Sequence, residues 1–379
     1  MFRRDKYWIA PFFLVFIAHG LLYYAFPEQH YTSSEGGGGW ISYLKYVCLI
    51  VTLPALIQAR ISSSTLSWIS FIVIPIGVSL CLQLYWVNEN NLLLFQYTIA
   101  MFGYFFGPFA LRFFESRVFV ERFCLVAIFV IFASTTSELF FGGISQDFSR
   151  SGLRGAGPFI NPNNTGIIVA ILAAVYHYYS RTKVMNAAIA LLAALTLVIT
   201  GSKTGMAIYA AMAFVLLPSR WRFTVLLVVP LLLLMSMDEI ADLWSVYELR
   251  DFSLESGEIR SVNIFALLEK LTDLSPMETL FGFSNTSLID NAYLDMMSYG
   301  GVSLVMSFVV VQLISIFHCI RLRMKLAGLL HGAFFLAMLT TDLPRLWPTG
   351  YMYWCLISVT IFKARLHEKS YASAARDFN

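Results

Sequence analysis

Residues 164–205 read NTGIIVAILAAVYHYYSRTKVMNAAIALLAALTLVITGSKTG. Two apolar runs, 164–180 and 184–200, flank the short connector Arg181-Thr182-Lys183. Each run comes close to the roughly 20 residues a helix needs to cross a bilayer core of about 30 Å. Backbone in lipid must satisfy its own hydrogen bonds, so runs of this kind cross as helices. The stretch therefore reads as two consecutive membrane spans with a cationic turn between them.

The pattern continues in both directions. Hydrophobic residues make up 58% of the 379 and charged residues only 13%, with a mean hydropathy of +0.69. A soluble fold of this size needs more polar surface. We read about twelve spans of bilayer length, at 7–26, 41–59, 66–87, 92–111, 122–141, 164–180, 184–200, 205–218, 222–237, 298–320, 326–343 and 349–363. The expected fold is all-α and polytopic, one integral membrane domain over 1–379. The spans 205–218 and 222–237 are short and suit tilted or paired helices. The first run, beginning near Tyr7, is too long and aromatic for a signal peptide. Cys48, Cys81, Cys124, Cys319 and Cys355 lie in or beside apolar runs without a CxxC pair, which argues against a disulfide framework or a zinc site.

Charge sets the orientation. With the N-terminus inside, 18 of the 26 Lys and Arg residues fall on the inner side, as the positive-inside rule requires for an even number of spans with both ends cytoplasmic. The net charge of +3 mainly serves topology, and no nucleic-acid partner is expected. One outer loop dominates, 238–297, between the ninth and tenth spans. It is too long for a mere connection, and such loops are often functional. It carries a helical stretch, SVNIFALLEKL, at 261–271.

The polar features collect on the outer side. Just upstream of the opening stretch stands SRSGLRGAGPFINPNNTG, 149–166. Asn is a favoured N-cap and Pro a favoured first helical residue, so Asn161-Pro162 should start span six on its outer face. Free N–H groups and the positive dipole end there would receive an anion, with Arg150 and Arg154 beside them and Asn163 next in line. The same residues also suit a capped helix whose arginines reach lipid headgroups. At the outer junction of spans seven and eight, GSKTG places Ser202, Lys203 and Thr204; its spacing is not that of a nucleotide P-loop. Lys203 is either an interfacial anchor or a second cation for the same anion. Arg260, in LESGEIRSVNIF, is either a solvated loop residue or a third. Asp290 and Asn291, in IDNAYLDMMSYGGVSLV at 289–305, close the large loop, with Asp290 simplest as the N-cap of the next helix. Asp342 and Arg345 suit a pair within the last outer loop. Arginine and lysine beside a helix N-terminus suit a diphosphate. At the outer leaflet, with a lipid tail in the bilayer, that ligand would be a polyprenyl diphosphate.

The order of these motifs resembles the O-antigen polymerase and O-antigen ligase superfamily of bacterial envelope glycosyltransferases. The pieces that carry the resemblance are RSGLRGAGPFINPNNTG, GSKTG, an arginine in a large outer loop, and DNAYLDMMSYGGV, together about 150–305. The resemblance implies a multi-helix fold of the GT-C type, with one large periplasmic loop. It implies a polyprenyl-diphosphate-linked oligosaccharide as donor, and neither a cofactor nor a metal. The family's Asn-Pro-Asn segment falls on Asn161, Pro162 and Asn163. Its Ser-Arg-Ser/Thr-Gly segment falls on Ser202, Lys203, Thr204 and Gly205, with lysine where the family often has arginine, which keeps the charge but loses the bidentate fork. The loop arginine falls on Arg260.

Ligases of this superfamily carry a histidine just before the span after the large loop. Asp290 and Asn291 stand there instead, and no histidine occurs in 178–317. The expectation is therefore a polymerase for O-antigen, capsule or exopolysaccharide, multi-pass in the bacterial inner membrane with its site facing the periplasm. Arg260, Lys203 and Asp290 are the expected catalytic residues, Asp290 as base or acceptor-orienting group, with Glu258 and Asp295 as rivals. Arg150, Arg154, Asn161, Asn163, Ser202 and Asn291 are the expected diphosphate- and glycan-binding residues. Undecaprenyl-diphosphate-linked oligosaccharides serve as donor and acceptor in the lipid bilayer, and a chain-length regulator and a flippase are candidate partners. The alternatives are a ligase acting on lipid A–core and a transporter of lipid-linked oligosaccharide.

Overall fold

The computed structural model describes residues 21–22, 26, 63–86, 92–141, 155–159, 161–218, 221–222, 264–283, 291–341, 344 and 348–377. Among them there is no strand. In chain order the helices are α1 (Ser63–Trp86), α2 (Leu92–Met101), a 3-10 segment (Phe102–Phe106), α3 (Gly107–Glu115), α4 (Arg117–Phe141), a 3-10 turn (Gly157–Phe159), α5 (Pro162–Tyr179), α6 (Lys183–Thr200), α7 (Lys203–Leu216), α8 (Pro276–Phe281), α9 (Ala292–Arg321), α10 (Lys325–Met338) and α11 (Thr349–Asp377). A further helical stretch runs over 264–272. Among the described residues, α4, α6 and α9 are long and apolar enough to cross a bilayer, and α7 and α10 are shorter apolar helices. The chain thus has the make-up of a helical membrane protein. The expected span 41–59 and nearly all of 7–26 and 222–237 lie outside the described residues.

The helices fall into two compact units. In the first, α4, α6 and α7 pack around α5. α5 is buried without interruption from Asn164 to Tyr176, because its side chains are apolar on every face rather than along one stripe. Its neighbours instead turn large apolar side chains outward, Val126 and Phe129 on α4 and Leu191 and Val198 on α6. The surround those side chains fit is lipid.

The second unit holds α1–α3 and α8–α11. Its core is aromatic. Tyr353 of α11 is fully buried among Phe308 of α9, 5.8 Å between ring centroids, and Phe334 of α10, at 5.1 Å. His331, also buried, meets Thr360 through Nε2 at 3.2 Å. Three expectations change here. The span expected over 92–111 is not one helix. It breaks at Phe102–Phe106, where Pro108 near the start of α3 lacks the N–H a continuous helix needs, and Gly103 lies against the backbone of Tyr351. The tenth span starts at Ala292 rather than 298 and is interrupted at Gly301, whose φ of 65° and ψ of −170° are not helical. Its cap is Asn291, not Asp290. Asn291 Oδ1 accepts from the N–H groups of Tyr293 and Leu294 at 3.0 and 3.1 Å.

The end of the large loop docks on that break. Ser275 caps α8 in a reciprocal box with Glu278. Leu267 and Phe283 form a small core with Ile264, Leu271, Leu274 and Leu294. Phe283 N–H donates to Ser298 O at 2.9 Å, and a side chain at Gly301 would strike the backbone of Leu280 and Phe281.

Candidate functional site

The GSKTG motif resolves into a helix stop and a helix start. α6 ends at Gly201, which sits in the left-handed region at φ 58°, where glycine carries no Cβ penalty. The next residue, Ser202, caps α7, and its Oγ accepts the N–H of Gly205 at 3.1 Å. At the other helix, Asn161 caps α5 and Pro162 opens it, as the sequence predicts. Asn161 Oδ1 accepts from Asn163 N–H at 2.8 Å and Asn164 N–H at 3.3 Å.

The two capped ends lie side by side. Ser202 Oγ lies 3.4 Å from Asn163 O, which accepts its hydrogen bond. Gly166 and Gly205 meet backbone to backbone, and a Cβ on Gly205 would stand 2.7 Å from the carbonyl carbon of Gly166. Small residues at a helix crossing permit such an approach in a membrane protein. The result is one locus with two positive helix ends. Ser202 is fully buried there. Lys203, the first residue of α7, is exposed, as is Asn161, and Asn163 is half-buried.

One expectation fails at this point. Span six was to offer free N–H groups to an anion. Pro162 has none, Asn161 Oδ1 takes those of Asn163 and Asn164, and Asn161 O takes that of Thr165. The α5 end offers its dipole but no first-turn donor. An anion at the α5 end must be held chiefly by side chains, Lys203 first among the described ones.

The structure brings Asn161, Asn163, Ser202 and Lys203 together in the first unit. Asn291 belongs to the second unit, where its side chain caps α9 and its Nδ2 donates to Leu339 O at 3.1 Å, tying the start of α9 to the end of α10. Arg150, Arg154, Arg260, Asp290 and the rival Glu258 lie outside the described residues. The other rival, Asp295, is fully buried, and Tyr97 OH donates to its Oδ2 at 2.5 Å, so it braces α9 against α2.

Three polar residues escaped the sequence reading. Tyr97 gave no signal within the run expected as a span over 92–111. Asn164 is buried, and its Oδ1 has no hydrogen-bond partner among the described residues. Glu138 lies within a membrane-length apolar run, where an ionisable residue is a functional candidate by default. It is buried and accepts from Ala156 N–H at 2.6 Å and Gly157 N–H at 3.1 Å.

Comparison of the chain with models of known protein families gave no match, and comparison with curated protein sequences gave none.

Proposed function

We propose that this chain is a polysaccharide polymerase that extends a glycan on a polyprenyl diphosphate. The observation that carries the reading is the pair of helix N-termini at Asn161 and Ser202, held side by side with Lys203 exposed at the start of the second. Two dipole ends and a lysine favour a ligand of concentrated negative charge. The membrane character of the surrounding helices favours one with a lipid tail. Motif order adds Arg260 and the arginines at 150 and 154.

In this reading about twelve spans of a GT-C-like fold cross the bacterial inner membrane, both termini are cytoplasmic, and the site faces the periplasm. The acceptor sugar hydroxyl forms a bond to the anomeric carbon of the donor glycan. The bond from that carbon to the diphosphate oxygen breaks, and its electron pair leaves with the diphosphate. Lys203 and Arg260 stabilise that developing charge. The hydroxyl proton passes to a base, Asp290 in this proposal.

A second reading has one observation in its favour. The break in α9 at Gly301 is of the kind found in transporters, whose discontinuous helices line their substrate sites. That reading makes the chain a carrier of lipid-linked oligosaccharide.

The test is purified protein in detergent with lipid-diphosphate-linked repeat units as the sole substrate, analysed on a gel. A ladder of lengthened glycans is the expected result. Transfer only to added lipid A–core would replace the polymerase by a ligase. Neither product, together with movement of the lipid-linked unit across vesicles containing the protein, would establish the transporter.

A further inference from the structure

We infer that Glu138 is a positioning residue for the diphosphate site, an inference that rests on the function proposed above. Glu138 lies one turn before the end of α4. A carboxylate in a membrane helix is costly and persists where it faces polar partners within the protein. Among the described residues its partners include two successive backbone N–H groups, Ala156 on Oε2 and Gly157 on Oε1, with Gly157 at φ +64°.

The rest of that segment is held as firmly. Gly155 N–H donates to Ile199 O of α6 at 3.2 Å. The Thr165 hydroxyl of α5 donates to Ala156 O. So Gly155–Gly157 is bonded to α4, α5 and α6 at once, and 155–159 is buried although it is not an α-helix. Burial of irregular backbone requires partners of this kind. The segment has a particular place in the chain. Arg154 is one peptide bond before it, and the Asn161 cap follows two residues after it. Glu138 therefore fixes the buried segment 155–159 that leads to the Asn161 cap of α5. Its effect on the anion passes through that backbone.

Glu138→Gln tests this. The amide nitrogen would face one of the two N–H groups, donor against donor, and the segment must shift. A displacement of about 1 Å at a site costs on the order of a hundredfold in rate. The probes are farnesyl diphosphate, which carries the anion on a short prenyl tail, and farnesol, which has the tail alone. Binding of each to the full-length protein in detergent is measured beside thermal unfolding and repeat-unit turnover. The expected result is farnesyl diphosphate binding weakened by about tenfold or more, with farnesol binding unchanged. Glu138→Asp keeps the charge and should recover part of the loss. Thr165→Val, which removes the second tie to Ala156, should act in the same direction.

Folded E138Q that binds farnesyl diphosphate as tightly as the wild type overturns the inference. So does equal loss of both probes, which marks a purely structural residue. If E138Q does not fold, T165V decides by the same two comparisons. A wild-type protein that makes no ladder and binds no farnesyl diphosphate removes the proposed function first. A ladder together with unaltered E138Q binding removes this inference alone.

Discussion

Gly205→Ala is the sharpest probe of the paired helix ends. The added methyl would stand 2.7 Å from the carbonyl carbon of Gly166 and 2.9 Å from its Cα, where ordinary contact begins at 3.4 Å. The Gly166 atoms are backbone, so no side-chain rotation relieves that clash, and α5 and α7 must part by about 0.7 Å at that point, while the Leu197 side chain, whose Cδ2 would lie 2.8 Å from the added methyl, must also turn aside. Two energies oppose each other. Alanine is favoured over glycine within a helix by about 1 kcal/mol. Overpacking of a close contact costs about 1–3 kcal/mol. The balance is a modest net destabilisation of about 0–2 kcal/mol, yet the displacement falls directly on the Ser202–Asn163 tie. Binding should suffer more than folding: a site moved by this much is expected to lose on the order of tenfold to a hundredfold in turnover. The assays are thermal unfolding in detergent and the glycan ladder, run on the same preparation. Gly205→Ala protein with both the wild-type midpoint and the wild-type ladder would show that α5 and α7 do not meet at Gly166 and Gly205. The argument for a joint anion locus would then fall.

Three further expectations follow from other residues. Asn161→Ala should cost about 1 kcal/mol, because Asn163 and Asn164 lose their N–H acceptor, whereas Asn161→Asp should unfold near the wild-type temperature. Arg260→Ala should abolish the polymer while the protein still inserts, and a normal ladder from that variant would remove Arg260 from the site. Glu278, on the exposed capping box, is held below its ordinary value of 4.5 by hydrogen bonds from the Ser275 hydroxyl and then the Ser275 N–H. A depressed folded value means stability that is present above the ordinary value and lost as pH falls below it. Protection of the Glu278–Phe281 amides, measured as exchange relative to the unstructured rate at each pH, should therefore fall below about pH 4.5, and Glu278→Gln should flatten that dependence.

The spans that the sequence delimits best are those with their own punctuation. The runs read at 164–180 and 184–200 emerge as Pro162–Tyr179 and Lys183–Thr200, because Asn161-Pro162 and Gly201-Ser202 are local stop and start signals. The break in α9 was not legible. Gly300 and Gly301 are plain in the sequence, but only contact with Leu280 and Phe281, from a distant loop, turns them into a break. The anion-binding expectation erred for a different reason. The first-turn N–H groups of α5 cannot serve both an Asn161 cap and a ligand, and Asn161 takes them. Glu138 was visible as an acid in an apolar run, but its partners Ala156 and Gly157 stand 18 and 19 residues further along the chain. Ser202 and Lys203 share a motif yet have different fates: one is buried as a cap and the other exposed, a division set by helix geometry rather than residue type.

The enclosure of α5 bears on how the chain is assembled in the membrane. A helix with no lipid-facing side has no settled position until its neighbours arrive. Synthesis delivers α4 before it and α6 and α7 after it, so when Tyr179 emerges two of the three walls around Asn164–Tyr176 have not yet been made. Among the described helices of this unit, α5 is the second to be made and the last to be fully enclosed. The Ser202–Asn163 tie cannot form before α7 has entered, so the candidate site comes into being only at that closing step.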